Sequence, residues 1–314
     1  MSEAPTTILV VAGPTATGKT AAALALGRRL GGELVGADSV QVYRGFDIGS
    51  SKPTAAELAG VPHHLLDVAD PDQPLDAMRY AELADAAIAG IARSGRLPIV
   101  VGGTGLWLRA LLRGLVELPV PDPALRARLD EEVSRLGAPA LHARLAAVDP
   151  RAASAVHPHD ALRIVRALEV LEQTGEPLGD LRHRHALGGP RYRALVLALD
   201  RPSRDELGAR IDARLDAMLA AGWLDEVRGL LARWGPDVRP LGSVGYREIA
   251  GHLRGQLSLA EAIEQARRAT RVLTRRQRTW LSSDPDVSFR TTAEELGRAE
   301  AIARIERFVA GGGA

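Results

Sequence analysis

Short apolar runs alternate with amphipathic stretches through the first third of the chain. ILVV (8–11), ELVGAD (33–38) and LPIVVGG (97–103) predict strands, the last apolar throughout as buried parallel strands are. Between them, TAAALALGRRL (20–30) and DAMRYAELADAAIAGIARSG (76–95) are helix formers. Gly31 and Gly32 stop the first, and a terminal glycine closes the second. Strand, helix, strand, helix, strand predicts an α/β fold on a doubly wound parallel sheet.

The pattern changes at LPVPDP (118–123). Helical periodicity then dominates through LEQTG (171–175) without a convincing strand, and a Gly- and His-bearing loop, GDLRHRHALGGP (179–190), follows. YRALVLALD (192–200) is β-like and returns the chain to the sheet at 194–199. The remainder reads as helical, including the long run 259–281. The expected organisation is a core (1–118), a helical insertion (119–190) and a second core part (191–314) ending in basic helices.

The first strand runs into GPTATGKT (13–20), a complete GxxxxGK[ST] phosphate loop in its proper strand-to-helix setting. Gly13, Pro14, Thr15, Ala16, Thr17 and Gly18 form the loop, whose backbone N–H groups, with those of the helix start, would converge on an anion. Lys19 adds a point charge, and the Thr20 hydroxyl can hold Mg²⁺. Lysine occurs only at Lys19 and Lys52, every other basic residue being arginine. Lys52, in DIGSSKP, therefore invites attention too. No Asp ends the LPIVVGG strand, where a nucleotide hydrolase would place its Mg²⁺ carboxylate. Asp38 and Asp200 end other strands, although Asp200 leads into RPSRDEL and could simply start a helix. An Asn-Lys-x-Asp guanine motif is absent, which excludes a GTPase.

Asp38, Ser39 and Gln41 offer acceptors, a hydroxyl and an amide, a set better suited to a base edge than to a metal. Thr104 opens a helix at a strand end, either as a plain N-cap or as a hydroxyl for phosphate or nucleophile. Leu207, Ile211, Leu215 and Leu219 form an apolar stripe flanked by Arg210 and Arg214, which are either solvated or close on a phosphate. Residues 267–280 carry six arginines and no acid, beside Gln277 and Trp280. Such a single-sign run suits a nucleic-acid backbone. Arg163 and Arg166 form a weaker basic set on the insertion.

Net charge is only +1, so any polyanion site must be a local patch. There are no cysteines, which removes disulfides and zinc–thiolate sites. No apolar run would span a bilayer and MSEAPTT is unlike a secretion signal, so a soluble, cytoplasmic chain is expected.

Taken in order, GPTATGKT, ADSVQVYRGFDIGSSKP, VPHHLLD, VGGTGLWLRALL, HPHDALRIVRALEV, ARIDARLDAMLAAGWLDEV, SVGYRE and RRQRTWL resemble the tRNA dimethylallyltransferase family, over about residues 8 to 281. The resemblance implies a P-loop NTPase-like core whose loop holds the diphosphate of dimethylallyl diphosphate. The acceptor would be the exocyclic amine of the adenosine 3′ to the anticodon, and Mg²⁺ the cofactor. It implies Asp38 as general base, Thr104 at the reacting amine and diphosphate, and Arg214, with Arg210 beside it, on the diphosphate. tRNA contacts would come from Asp38, Ser39, Val40 and Gln41; from Thr104 and Arg126; and from Leu162, Arg163, Ile164, Val165 and Arg166. Ser243, Val244, Gly245, Tyr246 and Arg247 would add to them, as would Arg275, Arg276, Gln277, Arg278, Thr279 and Trp280. A monomer is expected. Trp107 stands where the family usually has Tyr. A small-molecule kinase, a non-catalytic RNA-binding switch and prenyl transfer to free adenine nucleotides are the alternatives, and the basic helix favours the polymer.

Overall fold

The computed structural model describes residues 5–58, 60–186, 189–200 and 203–311. The chain divides into two compact units, Met1–Leu112 with Arg191–Ala314, and Arg113–Pro190.

The first unit is built on a six-stranded sheet of order β3-β2-β4-β1-β5-β6, every pairing parallel. The strands are β1 (Thr7–Ala12), β2 (Gly32–Ala37), β3 (His63–His64), β4 (Leu97–Gly102), β5 (Arg193–Leu199) and β6 (Val287–Thr291). Leu9 lies opposite Ile99 on one side and Leu195 on the other, so β1 is covered at both edges. That placement explains its unbroken apolar run. Helix α1 (Lys19–Leu30) and the terminal α15 (Ala299–Val309) share one core with the sheet through Ala23, Leu26, Ile302 and Phe308. The short α2 (Ala55–Leu58) follows β2 in the chain. Helix α3 (Ala77–Arg93), capped by Asp76, packs on β2 and β4 and buries Tyr80, Ala84 and Ile88.

After β4, α4 (Gly105–Arg113) leaves the sheet and the chain enters the second unit. Five helices follow: α5 (Pro123–Leu136), α6 (Ala138–Val148), α7 (Pro150–Ser154), α8 (Ala161–Thr174) and α9 (Leu178–Ala186). Leu129, Leu141, Leu145, Ile164, Val165 and Leu168 form its core. Glu169 is fully buried there and takes hydrogen bonds from Arg126 (2.6 Å) and Arg166 (2.6 Å). Burial alone would raise its pKa, but the two guanidinium groups outweigh burial and hold it below the usual range. The stretch expected as loop, 179–190, is instead helix α9 as far as Ala186, while Leu187 and Gly188 lie outside the described residues. Tertiary contact decides this: Leu178 is buried and Asp149 Oδ2 accepts the Gly179 N–H at 2.8 Å.

The chain returns through β5 to α10 (Arg204–Ala220), α11 (Trp223–Trp234), a 3₁₀ turn (Arg239–Gly242), α12 (Tyr246–Leu253) and the long α13 (Leu259–Ser283). α13 starts with a capping box between Ser258 and Glu261. The remainder was expected to be wholly helical, and β6 corrects that before α14 (Ala293–Leu296). VSFRT is short, half-buried and joined to β5 across a register shift, so its alternation gives little signal.

Candidate active site

The phosphate loop is closed from within. The fully buried Thr17 hydroxyl donates to the Pro14 carbonyl at 2.8 Å. A Cβ on Gly13 would come within 3.0 Å of the Leu199 carbonyl oxygen, so β1 approaches β5 too closely for a side chain there. Ala16 (φ 67°) and Gly18 (φ 85°) are left-handed. For alanine that conformation costs about 1–2 kcal/mol, strain of the kind found at functional turns. No side chain caps the start of α1, so its first N–H groups are open to an anion.

A cleft of about 570 Å³ opens over this loop, lined by Lys19, Thr20, Ser51, Arg28, Arg210 and Arg214 among others. Burial, then repulsion from Arg214, pulls the Lys19 pKa down to about 8 against the opposing pull of Asp38. Arg214 is lowered in turn by burial, with Asp38 opposing, and donates to the Ser50 carbonyl at 3.3 Å. Arg210, more exposed, sits 3.4 Å from Glu206. Two desolvated cations in one cleft are a demand for negative charge.

Asp38 follows β2, and its Oδ1 accepts the N–H groups of Val40 (2.9 Å) and Gln41 (3.3 Å), which fixes the carboxylate. Among the described residues no hydrogen bond engages Oδ2. The Thr104 carbonyl accepts the N–H groups of Trp107 and Leu108 in α4, while its hydroxyl turns away to accept from the Ser39 N–H at 3.2 Å. Thr104 thus joins the ends of β4 and β2 rather than capping its helix with its side chain. The Gln41 amide donates to the Ser50 and Ser51 carbonyls at 2.9 and 3.1 Å.

α13 docks its inner face on this centre. Gln277 Oε1 accepts the Thr15 N–H at 3.1 Å, and its Nε2 donates to the Gly103 carbonyl at 3.0 Å. Trp280 lies where a Cβ on Gly105 would meet its ring at 2.5 Å. Gln277 is therefore a clamp within the protein, and Trp280 is half-buried packing. The expected single-sign arginine face is also corrected. Arg267 pairs with Asp216 (2.7 Å), Arg271 with Asp212 (2.6 Å), Arg268 with Glu264 (3.4 Å) and Arg278 with Asp200 (3.1 Å). Most of those acids come from other elements, which the local sequence does not reveal. Arg275 and Arg276 are exposed and have no carboxylate partner among the described residues, and Thr279 is exposed beside them. Asp200 is settled as an ion-pair partner, the residues after it (Arg201 and Pro202) lying outside the described set.

Other expected contacts separate by burial. Tyr246 is 1% exposed and gives its hydroxyl to Glu226 at 2.7 Å, so its side chain cannot meet RNA. A Cβ on Gly245 would meet the Trp223 ring at 2.8 Å, Ser243 donates to the Pro240 carbonyl, and Val244 is half-buried. Arg247 is exposed and bound to Glu248. Within the second unit, Ile164 and Val165 are core, and Arg126 and Arg166 are held by Glu169. Leu162, 72% exposed, and Arg163 face solvent. Trp107 stacks on the buried Tyr80 with ring centroids 4.3 Å apart, so that position serves packing. Lys52 is a staple: its ammonium binds the Tyr43 carbonyl, Asp47 and Asp67. Glu226, which accepts the backbone amides of Asp47, Ile48 and Gly49, was not anticipated, since no spacing in its own helix marks it.

A family model described as IPP transferase matches residues 41–284. A tRNA dimethylallyltransferase from Anaeromyxobacter sp. (strain K) is 56% identical over 297 residues, 95% of this chain and 96% of that protein. Among solved structures, a tRNA isopentenylpyrophosphate transferase from Bacillus halodurans is 36% identical with a TM-score of 0.67, covering 98% of this chain and 96% of its own. A eukaryotic dimethylallyltransferase acting on tRNA is 26% identical with a TM-score of 0.80, covering 98% of this chain and 80% of its own.

The cation pair makes anion binding pH-dependent. An anion favours protonated Lys19, whose pKa is otherwise pulled down to about 8. Calorimetry with inorganic diphosphate should find affinity falling above about pH 8 for the native chain. Lys19→Gln should bind about 10²-fold more weakly and lack that inflection, the loss matching one charged hydrogen bond. The same inflection in Lys19→Gln would place the titrating group elsewhere.

Proposed function

The chain belongs to the IPP transferase family, and on that footing we propose that it transfers the dimethylallyl group of dimethylallyl diphosphate to the exocyclic N6 amine of the tRNA adenosine 3′ to the anticodon, releasing diphosphate. The observation that carries this reading is the Lys19–Arg214 cation pair over the phosphate loop, with Asp38 in electrostatic reach of both. β4 ends in Gly102, where a Cβ would lie 2.1 Å from the Ala37 carbonyl oxygen. The position where a kinase or hydrolase would carry its Mg²⁺ carboxylate therefore has no room for one.

In this mechanism the open amides of α1, Lys19 and Arg214 hold the diphosphate and take up the charge that grows on it as the allylic C–O bond breaks. Arg210 extends that positive wall. The adenine amine, a weak nucleophile, attacks the allylic carbon as Asp38 Oδ2 accepts its proton. The two amide bonds on Oδ1 hold the carboxylate in place for that transfer. Thr104 and Ser39 border the acceptor, and Gln41 offers its remaining amide oxygen to the base edge. Arg275 and Arg276 would hold RNA phosphates, with Leu162 and Arg163 as the surface residues of the second unit. The adenosine is already unpaired in the anticodon loop, which lowers the cost of presenting it.

The donor set fits Mg²⁺ that arrives with the diphosphate. Thr20 lines the cleft, and among the described residues no cluster of three or more His, Cys, Asp or Glu could hold a metal alone. When bound, the ion supplies further positive charge to the leaving group. A tRNA substrate implies work in the cytoplasm, and no described helix is long and apolar enough to cross a membrane. One chain carries the donor loop, the base and the RNA-facing arginines, so a monomer suffices.

Incubated with labelled dimethylallyl diphosphate, Mg²⁺ and unmodified tRNA, the protein should pass label to the tRNA. Asp38→Ala should keep tRNA binding while transfer falls about 10²-fold or more, as for loss of a general base. Undiminished turnover in that variant would remove Asp38 from its role. In filter binding, Arg275→Ala with Arg276→Ala should reduce the salt slope of tRNA affinity by about 2, one per lost phosphate contact. Arg267→Ala with Arg271→Ala should leave it nearly unchanged, because those charges already face Asp216 and Asp212. Equal slopes in both variants would refute this division of the helix.

A further inference from the structure

The segment between Asp38 and Lys52 bears on both substrate sites, and its far end is held by a residue with no place in the chemistry. Glu226 Oε2 accepts the N–H groups of Asp47 (3.0 Å) and Ile48 (2.5 Å). Its Oε1 accepts the Gly49 N–H (3.1 Å) and the Tyr246 hydroxyl (2.7 Å). Gly49 fits because a Cβ would lie 2.0 Å from the Trp223 indole nitrogen. The amide side of this turn thus faces a carboxylate. Its carbonyl side faces the reaction: the Ser50 oxygen accepts from Gln41 (2.9 Å) and Arg214 (3.3 Å), and the Ser51 oxygen accepts from Gln41 (3.1 Å).

We propose that Glu226 is a positioning residue for the transfer: by fixing the amides of Asp47, Ile48 and Gly49 it sets the Ser50 carbonyl, which aims Arg214 at the diphosphate and Gln41 at the adenine. The inference rests on the prenyl-transfer reading of the cleft. The chemistry demands a carboxylate. Four donors converge on two oxygens, which an ionised carboxylate can satisfy with its lone pairs. An amide has one acceptor oxygen and would turn an NH₂ group toward an N–H. The turn does not depend on Glu226 for its existence. Lys52 ties it to Tyr43 and Asp67, and the Ser50 hydroxyl donates to the Phe46 carbonyl at 2.6 Å. Loss of Glu226 should therefore loosen the aim of the turn while leaving the fold in place.

The test is a double-mutant cycle between Glu226→Gln and Arg214→Ala, read as KM for dimethylallyl diphosphate and kcat for transfer to tRNA. Glu226→Gln alone should raise KM about tenfold and lower kcat about tenfold, the scale of a small misplacement at a reacting centre. Its tRNA affinity without donor should stay within about twofold of native, since the phosphate contacts on α13 are untouched. In the Arg214→Ala background the same change should cost less than half as much in KM on a logarithmic scale, because on the donor side Glu226 acts through Arg214. Additive losses in KM, or native kinetics in Glu226→Gln, would overturn the proposal. Should Glu226→Gln fail to fold, Glu226→Asp, which keeps the charge and withdraws it by one methylene, takes its place in the cycle with the same two outcomes. Failure of the native chain to move label would instead overturn the reading of the cleft, so the two failures are distinguishable.

Discussion

The site depends on the burial of two cations, Lys19 and Arg214, in one cleft. Withdrawal from water disfavours the charged form of each, and Arg214 further disfavours that of Lys19. Asp38 relieves this only partly. In the proposed reaction a diphosphate would relieve it further, and most strongly once the allylic bond has broken and the leaving group carries its full charge. On that reading the charges that bind the donor would bind its product more tightly still, converting binding into bond breaking. Asp38, the proposed proton acceptor, is held beside those cations by two backbone amides.

Glycines let the surrounding elements approach closely enough for this arrangement. Gly102 admits the carbonyl of Ala37, Gly103 admits the Gln277 amide and Gly105 admits the Trp280 ring. The glycines around Thr104 are thus the floor on which α13 rests. Through Gln277 that helix holds both the phosphate loop and the end of β4. Its outer face presents Arg275 and Arg276, the two residues just before Gln277. The helix that would meet RNA is consequently the one that braces the donor loop, without any intervening flexible segment.

Features encoded locally were legible in the sequence. The parallel strands β1, β2, β4 and β5, the phosphate loop and Asp38 at the end of β2 could be read from short runs, because burial on both faces and the loop's backbone geometry leave their mark within a few residues. Partners brought together by the fold could not. The acids facing Arg267, Arg271 and Arg278 lie on α10 or after β5, so a run that reads as six free cations retains only two without carboxylates among the described residues. Ile164 and Val165 sit between Arg163 and Arg166 in one motif yet face inward. Gln277 reads as an RNA contact from its position beside arginines, and its clamp on Thr15 is visible only in three dimensions. Glu226 carries no signal in its own helix, since its four donors come from a distant turn and from Tyr246. β6 was missed because it is short, half-polar and joined at an irregular register.

The claim that the phosphate loop holds a leaving group, rather than an energy source, is tested most directly by product stoichiometry. With dimethylallyl diphosphate, Mg²⁺ and unmodified tRNA, and with ATP absent, inorganic diphosphate should appear in equal amount to prenylated adenosine in tRNA. A requirement for ATP, release of its γ-phosphate, or release of diphosphate without a prenylated base would contradict the account.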